Sequence, residues 1–205
     1  MVVAVEMPGE RTKYAWRGEI LATRAQVQPT EHAVDAAALA SSAARLAGPD
    51  DVVCAYVPIR GEPGDLRMLD VLRARGATVL LPVTGEPGPL SWARYEGADS
   101  LRKARYGLLE PATETLPPAV VADATTILVP ALAVDRRGVR LGRGAGYYDR
   151  TLGAVRADVR LIAVVRDNEL VDLLPEEPHD RRMGWVLTPG GGLQQLGRDL
   201  PVSPE

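Results

Sequence analysis

The chain has 205 residues, 46% hydrophobic and 25% charged, a size and balance that fit one α/β domain and exclude a disordered or fibrous protein. With 24 basic against 27 acidic side chains the formal net charge is -3, so broad electrostatic binding to nucleic acid is not expected and an anionic ligand needs a local basic patch. No apolar run approaches the about 20 residues of a membrane span, the first residues lack the features of a signal peptide, and the single Cys54 cannot form an intrachain disulfide; a cytoplasmic protein without structural zinc is expected.

Residues 1–10 read as a flexible extension. A helix is predicted over 13–26, where Trp16, Ile20 and Leu21 recur near the helical period. A second runs from Thr30, taken as the N-cap after Pro29, to Leu46 ahead of Gly48-Pro49. A buried strand over 52–57, a helix over 65–75 ending at Gly76 and a strand over 78–81 follow. Residues 90–95 alternate as a further strand between Pro- and Gly-rich connections at 84–89 and 111–118. Strands at 127–129, 161–165 and 185–187, with a helix at 146–155, complete the series. Alternating strands and helices imply an open, mainly parallel α/β sheet with helices on both faces, in one domain over 11–189. Residues 190–205, which include Gly190-Gly191-Gly192, read as a flexible tail.

One segment concentrates charge and glycine. Residues 136–150 hold five arginines (136, 137, 140, 143 and 150) against the lone Asp149, a local charge of +4. Within it, Arg140-Leu-Gly-Arg-Gly-Ala-Gly-Tyr-Tyr-Asp-Arg150 runs from a strand and loop into a helix. Alternating Gly142, Gly144 and Gly146 let backbone N–H groups approach an anion, and the helix start points its unpaired N–H groups at the same place. Arg140 and Arg143 offer forked donors to phosphate oxygens. A carboxylate beside such a cradle is repulsive unless a cation intervenes, which makes Asp149 a candidate Mg²⁺ ligand. The same residues would also make a strained turn, a solvated basic face and a helix-capping acid, and the spacing is neither the dinucleotide nor the P-loop pattern.

These residues resemble the 5-formyltetrahydrofolate cyclo-ligase family. The likeness extends to the Lys13–Arg24 helix, to Gly61-Glu62 after the first strand, to Tyr106-Gly-Leu-Leu-Glu-Pro111, and to His179-Asp180 followed by Val186-Leu-Thr188, in that order. It implies an ATP- and Mg²⁺-dependent enzyme with an open α/β fold that joins N10 to the formyl carbon of 5-formyltetrahydrofolate. By matching position, it implies that Lys13, Arg17 and Arg140, Leu141, Gly142, Arg143, Gly144, Ala145, Gly146, Tyr147 and Tyr148 surround ATP. It puts Val57, Glu62, Arg143, Gly144, Ala145, Gly146 and Tyr147 on the folate, Asp149 and Asp180 on Mg²⁺, and Arg143 in the catalytic role. The resemblance carries no nucleic-acid or membrane partner, and a monomer or weak homodimer is expected.

The sequence departs from the family pattern at three places. Ala145 stands where Gly or Lys is common, Val134 replaces an aromatic before Asp135, and Glu62-Pro-Gly-Asp65 differs from the usual turn. Two rival readings follow: a non-catalytic folate- or nucleotide-binding module of the same fold, which Ala145 favours, and an enzyme of a related fold acting on a phosphorylated metabolite without ATP. Lys13 and Arg17, spaced four apart on one helical face, would otherwise be an exposed basic stripe, and His32 reads as structural or solvated.

Overall fold

A computed structural model describes residues 11–59, 61–85, 88–104, 107–178 and 180–197. The chain opens with α1 (Lys13–Arg24), capped by Thr12, whose hydroxyl accepts the Ala15 N–H at 3.2 Å. Then comes α2 (Pro29–Ala43), where Gln28 is the N-cap and Pro29 occupies the first turn. Thr30 is therefore inside the helix, because proline's missing N–H costs nothing where that group has no helical partner. Next are β1 (Val52–Cys54), α3 (Leu66–Ala74) and β2 (Thr78–Val83). β1 is shorter than predicted: Ala55 still donates to Leu80 O at 2.8 Å, but the chain then leaves the sheet towards Pro58, which has no N–H to give. Asp65 caps α3 by accepting the Arg67 N–H at 2.9 Å.

A run of short strands follows: β3 (Ser91–Arg94), β4 (Leu101–Lys103), β5 (Leu109–Pro111) and β6 (Thr115–Leu116). The Pro-rich stretch at 111–118 thus carries an edge strand. Then come β7 (Thr126–Pro130), β8 (Ala133–Asp135), β9 (Arg140–Leu141), α4 (Tyr147–Leu152), β10 (Arg160–Val164), β11 (Leu170–Val171), β12 (Trp185–Thr188) and β13 (Gly192–Gln195). β13 corrects the tail reading. Asp167 accepts the N–H groups of Gly190 and Gly191 at 3.0 and 3.1 Å, pinning a turn that sends the chain back antiparallel along β12.

Among the described residues, eight strands make one sheet in the order β13-β12-β10-β7-β1-β2-β3-β6, parallel from β12 to β2 and antiparallel outside. Alternate residues of each strand face opposite ways. Val53, Val79, Leu81, Leu128, Ile162 and Leu187 pack with Leu39 of α2 and Leu69 and Leu72 of α3. Cys54, Leu80, Ile127, Leu161, Ala163 and Val186 pack with Leu152 of α4 and Trp92 on the other face. Burial pushes the Cys54 thiol up to about 12, so it behaves as a core residue. Among the described residues, no helix is long and apolar enough to cross a membrane.

From β1 the chain moves through α3 to β2, and from β7 through α4 to β10, so the sheet grows away from the β1–β7 pair in both directions. Open α/β sheets bind ligands beyond the strand carboxyl ends at such a reversal. A smaller sheet, β11-β8-β9, sits beside this point. Its hairpin is fixed by Asp135, fully buried, whose carboxylate accepts the N–H groups of Arg137, Val139 and Leu174 at 2.9, 2.9 and 3.1 Å.

Candidate active site

A cavity of about 310 Å³ opens at the β1–β7 reversal. Its walls are Tyr56, Val57, Ile59 and Glu62 after β1, Pro82 and Thr84 at the end of β2, Pro130, Ala131 and Leu132 after β7, and the loop from Gly142 to Asp149. Most of this surface is apolar, with few polar groups, the usual make-up of a small-molecule site. Glu62 is 7% exposed. Its Oε2 accepts the Ile59 N–H at 3.1 Å and its Oε1 accepts Arg143 Nε at 3.1 Å. The phenols of Tyr56 and Tyr148 are in this region, buried from water and with no hydrogen-bond partner among the described residues. Burial raises both above their ordinary pKa, and the negative charge of Glu62 pushes each the same way.

The Glu62 turn is held from behind by charges the sequence reading missed. Gly61 adopts φ +76°, and its carbonyl accepts Arg166 NH1 at 2.8 Å; Arg166 also donates to Asp35 at 3.0 Å and lies 3.2 Å from His32 Nδ1. His32 is therefore structural. Glu169 accepts the Arg166 N–H at 2.8 Å and forms a two-point pair with buried Arg24 at 2.6 and 2.8 Å. Arg24 then donates to Ala131 O at 2.8 Å, so one buried network ties α1 to both the Glu62 turn and the β7 wall.

A second cavity, about 160 Å³ and mostly polar, lies against the same loop. The pair Lys13 and Arg17 projects into it from α1, joined by Arg140, Asp149, Glu177 and Asp180. Lys13 Nζ donates to Asp180 at 2.8 Å and pairs with Glu177 at 3.1 Å. Burial alone would lower its pKa, but the bonds and charges of Asp180 and Glu177 outweigh it and the value is raised. Arg17 Nε donates to Gly142 O at 2.9 Å, and buried Arg140 pairs with Asp149. Gly144 (φ +98°) and Gly146 (φ +70°) take backbone conformations that glycine enters without strain, which lets the loop pass close to Arg17.

Two sequence expectations change here. The helix predicted over 146–155 is the six-residue α4, stopped at Gly153, so its dipole adds little and the cations of α1 and β9 supply most of the positive field. The +4 patch is divided: Arg136 pairs with Asp172, Arg137 with Asp135 and Glu176, and Arg150 lies over the Tyr147 ring at 5.3 Å. Of the five arginines, Arg140 and Arg143 line these two cavities. The Leu141 side chain is buried in the small sheet's core, and Ala145 is exposed. Val134 is fully buried, in keeping with a packing role. Glu177 and Thr84 reach the cavities without having been singled out, and Glu110 does so from a family-like motif to which the sequence reading gave no site role; the signal for Glu177 was its acidic neighbourhood next to Asp180. Tyr106 and His179 lie outside the described residues.

The sequence model of the 5-formyltetrahydrofolate cyclo-ligase family matches residues 10–189. The chain belongs to this family. It is 47% identical over 191 residues to the 5-formyltetrahydrofolate cyclo-ligase of Mycolicibacterium smegmatis, spanning 91% of this chain and 98% of that protein. The solved structure of the Aquifex aeolicus 5,10-methenyltetrahydrofolate synthetase aligns with a TM-score of 0.75 at 26% identity, covering 94% of this chain and 96% of that one. The Mycoplasma pneumoniae synthetase shares the fold, with a TM-score of 0.68 at 19% identity over 86% and 98% of the two chains. The protein is thus an enzyme of the cyclo-ligase family.

Proposed function

We propose that the protein converts 5-formyltetrahydrofolate to 5,10-methenyltetrahydrofolate at the expense of ATP, with Mg²⁺, releasing ADP and phosphate. One observation supports this above the others: Arg140, Gly142, Gly144, Gly146 and Asp149 line both cavities. A flat, largely apolar substrate in the larger cavity and a triphosphate in the polar one would meet across a single loop, as in-line phosphoryl transfer requires.

The N5 formamide is a poor electrophile because its carbonyl is amide-stabilised. Phosphorylating the formyl oxygen turns that oxygen into a leaving group; N10 attacks the formyl carbon, loses its proton, and phosphate departs. Glu62 accepts paired hydrogen bonds from the NH-rich edge of the pterin, with Val57 and Tyr147 against the ring. Lys13, Arg17 and Arg140 neutralise the phosphates, while the backbone from Leu141 to Tyr148 aligns them. Arg143, anchored on Glu62 at 3.1 Å, lines the larger cavity between Gly142 and Gly144, which line both, and in this reading stabilises charge on the transferring group. Positioning and charge stabilisation supply the chemistry.

The donor set suits magnesium. Lys13, Arg17 and Arg140 are balanced in the polar cavity by Asp149, Glu177 and Asp180, so a polyphosphate entering it needs further positive charge. Among the described residues no three His, Cys, Asp or Glu side chains cluster as a ready-made cage. Mg²⁺ is commonly held by one or two carboxylates plus phosphate and water, which fits Asp149 and Asp180. When bound, the ion would neutralise phosphate charge. ATP and reduced folates are cytoplasmic metabolites, and the reading carries that location.

The test is the near-ultraviolet absorbance of the conjugated methenyl product, with 5-formyltetrahydrofolate, ATP and Mg²⁺ each omitted in turn. Growth that needs all three is expected. Absence of growth in folded protein that binds folate or ATP would instead support a non-catalytic binding module.

A further inference from the structure

Glu110 enters the larger cavity from β5, outside the eight-stranded sheet, and is only 6% exposed. Its Oε1 accepts both the Thr84 N–H, at 2.8 Å, and the Thr84 hydroxyl. Among the described residues Thr84 is its one hydrogen-bond partner, so Oε2 accepts nothing. The lining of the cavity it enters is mostly apolar and includes Pro82, Leu90, Leu109 and Leu132. Putting a carboxylate in such a wall is costly unless every lone pair finds a donor. A neutral amide would take the same two Thr84 bonds at lower cost. A charge kept here, with one oxygen unused, is suited to a ligand that brings an N–H.

The folate reading supplies such a donor, and the inference rests on it. A reduced pterin carries N–H groups in two places: on its pyrimidine edge, which Glu62 takes, and at N8. In fully oxidised folate N8 carries no hydrogen and presents a lone pair instead. We propose that Glu110 Oε2 accepts a hydrogen bond from N8–H, and that this second carboxylate selects reduced over fully oxidised folates. Bare N8 would set one lone pair against another, a mismatch that leaves a buried charged acceptor unsatisfied.

The experiment compares dissociation constants of 5-formyltetrahydrofolate and folic acid, by calorimetry without ATP, for the wild type and Glu110→Gln. The glutamine carbonyl keeps both Thr84 bonds and turns its NH₂ to the ligand. Expected are a loss of affinity for 5-formyltetrahydrofolate of roughly tenfold or more and tighter binding of folic acid, so the preference narrows from both sides. The KM for ATP should stay within about twofold, showing an intact site. Thr84→Val, which removes one anchor but keeps the charge, should weaken 5-formyltetrahydrofolate without improving folic acid. An unchanged affinity ratio in Glu110→Gln, with wild-type turnover intact, overturns this inference alone and makes Glu110 an anchor for Thr84. A wild type that binds neither folate overturns the folate reading and this inference with it.

Discussion

Replacing Arg143 by alanine separates the two tasks assigned to that side chain. In the structure Arg143 makes one ion pair, to Glu62 at 3.1 Å, with its own side chain 39% exposed. The Glu62 end of this pair is only 9% exposed, so removing its donor costs about 1–2 kcal/mol of stability and thermal unfolding should fall by about 2–8 °C. Loss of a donor aimed at charge that grows in the transition state costs far more, roughly 10²- to 10³-fold in kcat. Glu62 keeps its bond from the Ile59 N–H, so the KM for 5-formyltetrahydrofolate should rise only several-fold. Initial rates from the methenyl absorbance, with each substrate varied at saturating levels of the other, resolve these effects. Arg143→Lys keeps the charge but loses the fork and should recover part of kcat. A kcat near wild type, with only the folate KM raised, would refute the catalytic role and leave Arg143 as a support for Glu62.

Other perturbations test the frame around the site. Gly138→Ala should lower soluble yield and the unfolding temperature sharply, because φ is +93° there and a Cβ would lie 2.2 Å from the Met183 carbonyl oxygen; unaltered melting would refute the hairpin geometry. Glu169→Ala strips the partner from buried Arg24 and should cost about 3–5 kcal/mol in denaturant unfolding. Asp180→Asn should raise the Mg²⁺ concentration needed for half-maximal turnover, and an unchanged requirement would remove Asp180 from the metal site. Asp51 is held below the ordinary 3.8 chiefly by the Gly48 N–H, and Asp167 is held low because bonds from Thr188, Gly190 and Gly191 outweigh its burial. Their stabilisation is complete above 3.8 and lost as pH falls through the lowered values, so acid unfolding of Asp167→Asn should show a shallower pH slope.

Element types were legible because they depend on local pattern. The 3.6-residue spacing of Trp16 and Ile20, the β-branched run at Val52 and Val53, and the stop at Gly76 act over a few residues. The glycine-arginine loop was legible for the same reason: Gly144 and Gly146 mark backbone that must turn where L-residues are strained. The tail shows the limit of this reading. Gly190 to Gly192 look mobile alone, yet Asp167, 23 residues earlier, fixes them into a turn.

Charge was the least readable quantity. The sequence counts five arginines in 136–150, but only folding decides which of them meet carboxylates: Arg137 meets Asp135 two residues away, whereas Arg143 meets Glu62 across 81 positions. The buried link from Arg24 through Glu169 to Arg166, and the approach of Glu110 from β5 to Thr84 after β2, likewise exist only where distant segments converge. The sequence by itself determined the strand and helix alphabet, the glycine-rich loop and the family pattern, since these rest on neighbours along the chain. Tertiary structure alone decided which charges are free to face a ligand and which are spent on one another, because ion pairing depends on distance in space and on the water that burial removes.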